Sequence, residues 1–208
     1  MRAYIRKILS TSKDNRGFSL VELLVVMAIS GIVAAGLAIA IFQLWDGHAR
    51  SSGEMNVVRQ VQQVGHYITR DAQMAAEVST VDDVSTTGFR ELVTLTWYRY
   101  EYQPGTVDRR GIGYRVIYKL DTDGNGIGMI YRDYYEAPDA EGDTPPDTWE
   151  FQYSTYIAEY VDIDEENTEC VWNGEKLIIK VTASVEGIAG VQEENRTYEA
   201  NPRPNIFF

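Results

Sequence analysis

With one cysteine in 208 residues, Cys170, the chain can form no intrachain disulfide, and it has no CxxC pair to hold a metal. A lone thiol of this kind reads as a small, partly buried hydrophobe. Histidine is nearly as scarce. His48 and His66 stand eighteen residues apart, outside metal-ligand spacing, and read as solvated or packing side chains. There is no GxSxG elbow, no HExxH, no phosphate-binding glycine loop and no Cys–His pair with a third member. So little acid–base chemistry near neutral pH points away from an enzyme. Proline is absent before Pro104, so none interrupts a helix in the first half of the chain.

Basic residues do not cluster after residue 17. Residues 1–17 carry Arg2, Arg6, Lys7, Lys13 and Arg16 against Asp14, a net of +4, which leaves −16 on residues 18–208 of the total −12. An acidic body repels phosphate backbones, which counts against nucleic acid as a partner.

What the chain has in abundance is a long apolar run. From Phe18 to Leu44 only Ser19, Glu22, Ser30 and Gln43 are polar. About 20 apolar residues of helix span a bilayer, so the run is long enough. The positive charges before it place the N-terminus in the cytoplasm and the rest outside. A secretory signal fits less well, because its apolar region is shorter, lacks a carboxylate and ends in a small-residue cleavage site.

Glu22 is the exception inside this run. A carboxylate in a membrane-length helix costs several kcal/mol unless it is paired or protonated. One reading places it at the headgroup interface, near a helix N-terminus whose dipole favours an anion. The other starts from Gly17: cleavage after it leaves a free amine on Phe18, about one helical turn from Glu22. Amine and carboxylate of neighbouring subunits then neutralise each other in low dielectric.

Arg16-Gly17-Phe18-Ser19-Leu20-Val21-Glu22-Leu23-Leu24 resembles the processing site of type IV prepilins and type II secretion pseudopilins. The resemblance implies that a prepilin peptidase cuts after Gly17 and methylates Phe18. It also implies that Glu22 pairs with a neighbouring subunit's N-terminus during assembly. The implied partners are that peptidase, other pilin or pseudopilin subunits and an inner-membrane assembly platform. The implied location is the bacterial inner membrane, then a periplasmic or cell-surface filament. Many major pilins carry a proline about twenty residues into the mature helix, a region where this chain has Ile39, and the difference favours a minor subunit.

Ala28, Gly31, Ala35, Gly36 and Ala38 are small residues that permit close helix approach, and they are equally ordinary in membrane helices. After Trp45, Val57, Val61, Val64, Ile68, Ala72, Ala75 and Val78 recur at three- and four-residue steps, an amphipathic stripe suited to packing on a sheet. Arg59, Gln60, Gln63 and Arg70 are assigned to other faces. One long helix is expected, continuous or broken near Gly47 to Gly53.

Beyond residue 80 short β-like runs take over: 92–102, 112–120, 129–135, 148–163 and 176–186, with loops at 137–148 and 162–168. Val93, Leu95 and Trp97 alternate with Thr94, Thr96 and Tyr98, so one face is inward. The expected fold is α+β and pilin-like: a long N-terminal helix, membrane-spanning in its first half, packed on an antiparallel sheet. The expected parts are a leader at 1–17, a membrane or filament-core helix at 18–45 and an exported domain at 46–208. Ile68-Thr69-Arg70-Asp71-Ala72-Gln73-Met74-Ala75-Ala76 resembles the end of the long helix in larger minor pilins and the minor pseudopilin J. Tyr118-Lys119-Leu120-Asp121 with Ile130-Tyr131-Arg132 resembles a hairpin of the same group.

Asp121-Thr122-Asp123-Gly124-Asn125-Gly126 matches the first half of a calcium loop, with oxygen ligands at positions 1, 3 and 5. Position 12 is Arg132 instead of a glutamate, with Asp133 next to it. Two readings stand: calcium held by Asp121, Asp123, Asn125 and Asp133, or a plain turn between strands, for which Asp, Asn and Gly are the usual residues. The many tyrosines, Tyr98 to Tyr160, read as a sheet cover or subunit contact more readily than as a ligand platform. The leading function is therefore a minor pilin or pseudopilin that enters a type IV pilus-like or type II secretion filament. The alternative is a surface-displayed recognition or adhesion module with a calcium-stabilised loop.

Overall fold

A computed structural model describes residues 18–80, 88–100, 110–122, 126–141, 148–187 and 190–203. Gly17, Asp123 and Asn125 lie outside the described residues. Among the described residues one helix, α1 (Leu20–Met74), precedes eight strands: β1 (Glu77–Ser79), β2 (Phe89–Tyr100), β3 (Arg110–Asp121), β4 (Ile127–Glu141), β5 (Glu150–Asp162), β6 (Glu169–Trp172), β7 (Leu177–Gly187) and β8 (Gly190–Ala200). The helix runs through Gly47 and Gly53 without a break. Its first bond runs from the Leu23 amide to the Ser19 carbonyl. Ser19 and Glu22 have the spacing of a capping box, and the dipole favours an acid in this first turn. The α+β, pilin-like arrangement expected from the sequence is the one found.

Two compact units divide after Gly47. In the first, the helix is apolar all round and exposed all round, with Leu24, Met27, Ile32, Leu37 and Phe42 each more than half exposed. It is long and apolar enough to cross a membrane. A helix without a polar face is built for lipid or for other helices.

In the second unit the apolar residues narrow to a stripe. Val57, Val61, Val64, Ile68 and Ala72 are buried against the sheet. Among the described residues all the buried core hydrophobics lie at Val57 or later, so this unit carries its own core, the requirement for folding without the first. Val78 does not extend the stripe; it belongs to β1, because the helix has already ended at Met74. Gln60 also departs from expectation. It is buried, and its Oε1 accepts a hydrogen bond from the Glu159 amide at 3.2 Å.

The strands pair antiparallel in the order β1-β2-β3-β4-β5-β7-β6, with β8 on the other side of β7. β1 to β5 form a meander. The register puts Val93 beside Tyr118 and Leu95 beside Val116, and sets Leu120 opposite Ile130, so these residues face the helix. Pro138 and its neighbours, expected in a loop, belong to β4, which runs on to Glu141. Glycine is required at two close approaches. A methyl on Gly65 would strike the Tyr198 ring, whose hydroxyl donates to the Val61 carbonyl at 3.3 Å. A methyl on Gly128 would strike the Asp121 carbonyl.

Candidate functional site

The N-terminal segment is built simply. Phe18 is 79 % exposed and lies two residues before the first helical residue, Leu20, and Glu22 sits in the first turn, also exposed. Glu22 thus stands as an acid in the first turn of an otherwise apolar segment, at the positive end of the helix dipole.

The second unit holds a polar cluster that the periodicity reading passed over. Asp71 lies in the apolar stripe between Ile68 and Ala72 and is fully buried. Its Oδ2 accepts from the Tyr118 hydroxyl at 2.7 Å and from Arg132 Nε at 2.7 Å, and its Oδ1 faces Arg70 at 3.3 Å. Burial alone would lower the Arg132 pKa, but the hydrogen bond and charge of Asp71 outweigh it and raise the net value. Burial first, then the Asp71 charge, pushes the Tyr118 phenol well above its ordinary range. The cluster pins the last helical turns to β3 and β4. A signal was present: a carboxylate at a stripe position, and Tyr118 and Arg132 at inward positions beside Val116, Leu120 and Ile130.

The calcium reading of the 121–126 turn meets a geometric fact. Asp133 pairs with Ile117, four residues along β3 from Asp121, about 13 Å along a strand. There it forms an ion pair with Lys119, at 3.0 Å. The structure does not bring Asp133 to the turn. What does stand next to the turn is the 162–168 loop, where the Ile163 amide donates to the Gly126 carbonyl. That loop is closed on itself by Asp162, which accepts from the Asp164 amide and the Asn167 side chain. Among the described residues no group of three or more His, Cys, Asp or Glu side chains is placed to hold a metal ion.

The aromatics divide between the two faces of the sheet. Trp97, Tyr114, Tyr134 and Tyr153 form a stacked row across β2 to β5 on the helix side, with centroids 6.0, 6.2 and 5.0 Å apart. On the outer face Phe89, Tyr131 and Tyr156 meet edge to face. Rings stacked on each other have used their faces, which suits a sheet cover better than a sugar platform. Cys170, on β6, has its thiol pushed up to about 12, chiefly by burial and then by Glu169, so it is neutral and unreactive near pH 7.

The fold thus defines a class: a long apolar helix continuing into the spine of an antiparallel sheet domain, in the pilin manner. Residues 12–38 match the family model for the prokaryotic N-terminal methylation motif. The match takes in Gly17, Phe18, Glu22 and the first turns of the helix, and it supports the resemblance to type IV prepilins over that segment. No curated protein and no solved structure matches the chain.

Proposed function

We propose that the chain is the precursor of a pilin-like filament subunit, cut after Gly17 by a prepilin peptidase, methylated on Phe18 and anchored in the inner membrane by α1. In this reading the domain faces outward, and Glu22 meets the new amine of a neighbouring subunit as the helices pack. The observation that carries it is the methylation-motif match at residues 12–38, set at the head of an apolar helix exposed on every side. The missing helix proline supports a minor subunit of a type IV pilus-like or type II secretion filament, acting in assembly initiation or at the tip.

Mass spectrometry of the protein recovered from a host with the peptidase tests the processing step. A methylated chain starting at Phe18 is expected, and retention of residues 1–17 would overturn it. Glu22→Ala tests the pairing. The variant is expected to be cut normally but to leave a buried amine unpaired, at about 3–5 kcal/mol. That reduces filament incorporation by more than about a hundredfold. Normal incorporation would remove the pairing role.

A further inference from the structure

Asparagine is followed two residues on by serine or threonine at only one of its eight positions in the chain, Asn195-Arg196-Thr197. Asn-x-Ser/Thr, with x other than proline, is the acceptor pattern for an N-linked glycan. A three-residue pattern arises easily by chance, so its placement decides whether it can serve. The triplet lies in β8, where Asn195 and Thr197 are exposed while Glu194, Arg196 and Tyr198 are half-buried. Positions two apart on a strand share a face. The Tyr198 hydroxyl reaches the Val61 carbonyl of α1, so the half-buried set faces the helix, and Asn195 and Thr197 face away from it.

The surroundings leave the acceptor free. The 162–168 loop covers the neighbouring positions of β7, where Lys180 donates to the Glu166 carbonyl and the Thr182 hydroxyl to the Asn167 carbonyl. Lys180 and Thr182 are the partners of Thr197 and Asn195, yet both β8 residues stay exposed, so the loop stops at β7. Neither the Asn195 amide nor the Thr197 hydroxyl has a hydrogen-bond partner among the described residues. Arg196, between them, is held on the other face by Glu194 at 2.8 Å. Among the described residues β8 pairs with β7 alone, which leaves one side of the acceptor backbone open to an enzyme.

We propose that Asn195 is an N-glycosylation acceptor, and that its donor is an oligosaccharide carried on a polyprenyl diphosphate. In the transfer, Asn195 Nδ2 forms a bond to the anomeric carbon of the first sugar and gives up one proton. The anomeric C–O bond breaks, and the lipid diphosphate leaves with its electron pair. A glycan here displaces no packed residue, because it stands in solvent on the sheet face opposite α1. The proposal rests on the outward-facing reading of the domain, because N-linked acceptors belong to secreted domains.

The test uses the full chain in a bacterial host that carries an oligosaccharyltransferase and a lipid-linked oligosaccharide of known mass. Peptide mass spectrometry of the membrane fraction should find the Asn195 peptide heavier by that oligosaccharide. Asn195→Gln and Thr197→Ala, both at exposed positions, should each remove the added mass at an equal level of protein. Thr197→Ser should keep it. Protease added to spheroplasts reports separately whether the domain faces outward. A bare Asn195 in a domain that the protease reaches would overturn this inference and leave the outward reading standing. Modification that survives Thr197→Ala, or that falls on another residue instead, would also overturn it. A domain cut only after lysis would remove the outward reading, and this inference with it.

Discussion

Asp71→Asn in residues 48–208 removes one charge without changing shape, and the consequences follow from the cluster it leaves. Arg132 is 8 % exposed, and its Nε points at the vacated carboxylate position from 2.7 Å. An amide accepts one such bond but neutralises nothing, and an uncompensated buried charge of this kind costs about 3–5 kcal/mol. The Tyr118 hydroxyl keeps an acceptor, so its bond changes little. Arg70 is half exposed, and its contact with Asp71 adds at most about 1 kcal/mol. For a domain of this size the loss corresponds to a fall of about 6–20 °C in melting temperature. Urea unfolding followed by tryptophan fluorescence, checked by far-UV circular dichroism, measures it. Arg132→Met alone should cost a similar amount, because it strands Asp71. Combining the two should cost less than either, since the double variant buries no lone charge. A double variant as unstable as the sum of the singles would show that Asp71 and Arg132 act independently, and a single loss below about 1 kcal/mol would show that solvent reaches the pair.

Two other expectations come from the same domain. Tyr118 has its folded pKa raised above the unfolded value of about 10, so its contribution is fully present below that pH and is lost as pH rises above it. The stability gap between wild type and Tyr118→Phe, about 1–3 kcal/mol at pH 7, should narrow above about pH 10 in urea titrations, and a constant gap would refute burial of the phenol. Gly65→Ala gains helix propensity but drives a methyl into the Tyr198 ring, so a net loss of about 1–2 kcal/mol is expected and should shrink in a Tyr198→Leu background. An unchanged loss in that background would place the strain elsewhere.

The parts legible in the sequence are those whose signal is local. The apolar run, the acid at Glu22 and the glycine before Phe18 all lie within a few residues of one another. Five of the six strands of eleven residues or more, β2, β3, β4, β5 and β7, overlap the β-like runs read from the sequence. β8 did not, because its half-buried positions are Gln192, Glu194, Arg196 and Tyr198, which pack at the margin of the sheet and pair with each other, as Arg196 does with Glu194 at 2.8 Å. β6 is four residues long, and β1 is three; neither length carries a period. Gln60 and Asp71 broke the pattern for a related reason. Each is a polar residue buried because a specific partner far along the chain, the Glu159 amide or Arg132, donates a hydrogen bond to it, and no window around the residue contains that partner.

The division of the helix into two chemical regimes carries the functional argument further than any one residue does. Before Gly47 every side of the helix is apolar and exposed; after Val57 one stripe is buried and the rest is polar. Exposed Leu, Ile and Phe over seven turns cannot remain in water as a single chain, because each large apolar side chain left solvated forfeits about 1.5–3 kcal/mol. Lipid removes that cost for one copy, and helix packing removes it for many. Glu22 distinguishes the two environments. In lipid alone its charge is a penalty that grows with depth, whereas in the filament proposed above a neighbour's amine would offset that charge. On the proposed reading, an acid near the start of the helix suits a subunit that leaves the membrane for a filament, and removal of the leader supplies the amine that acid would meet.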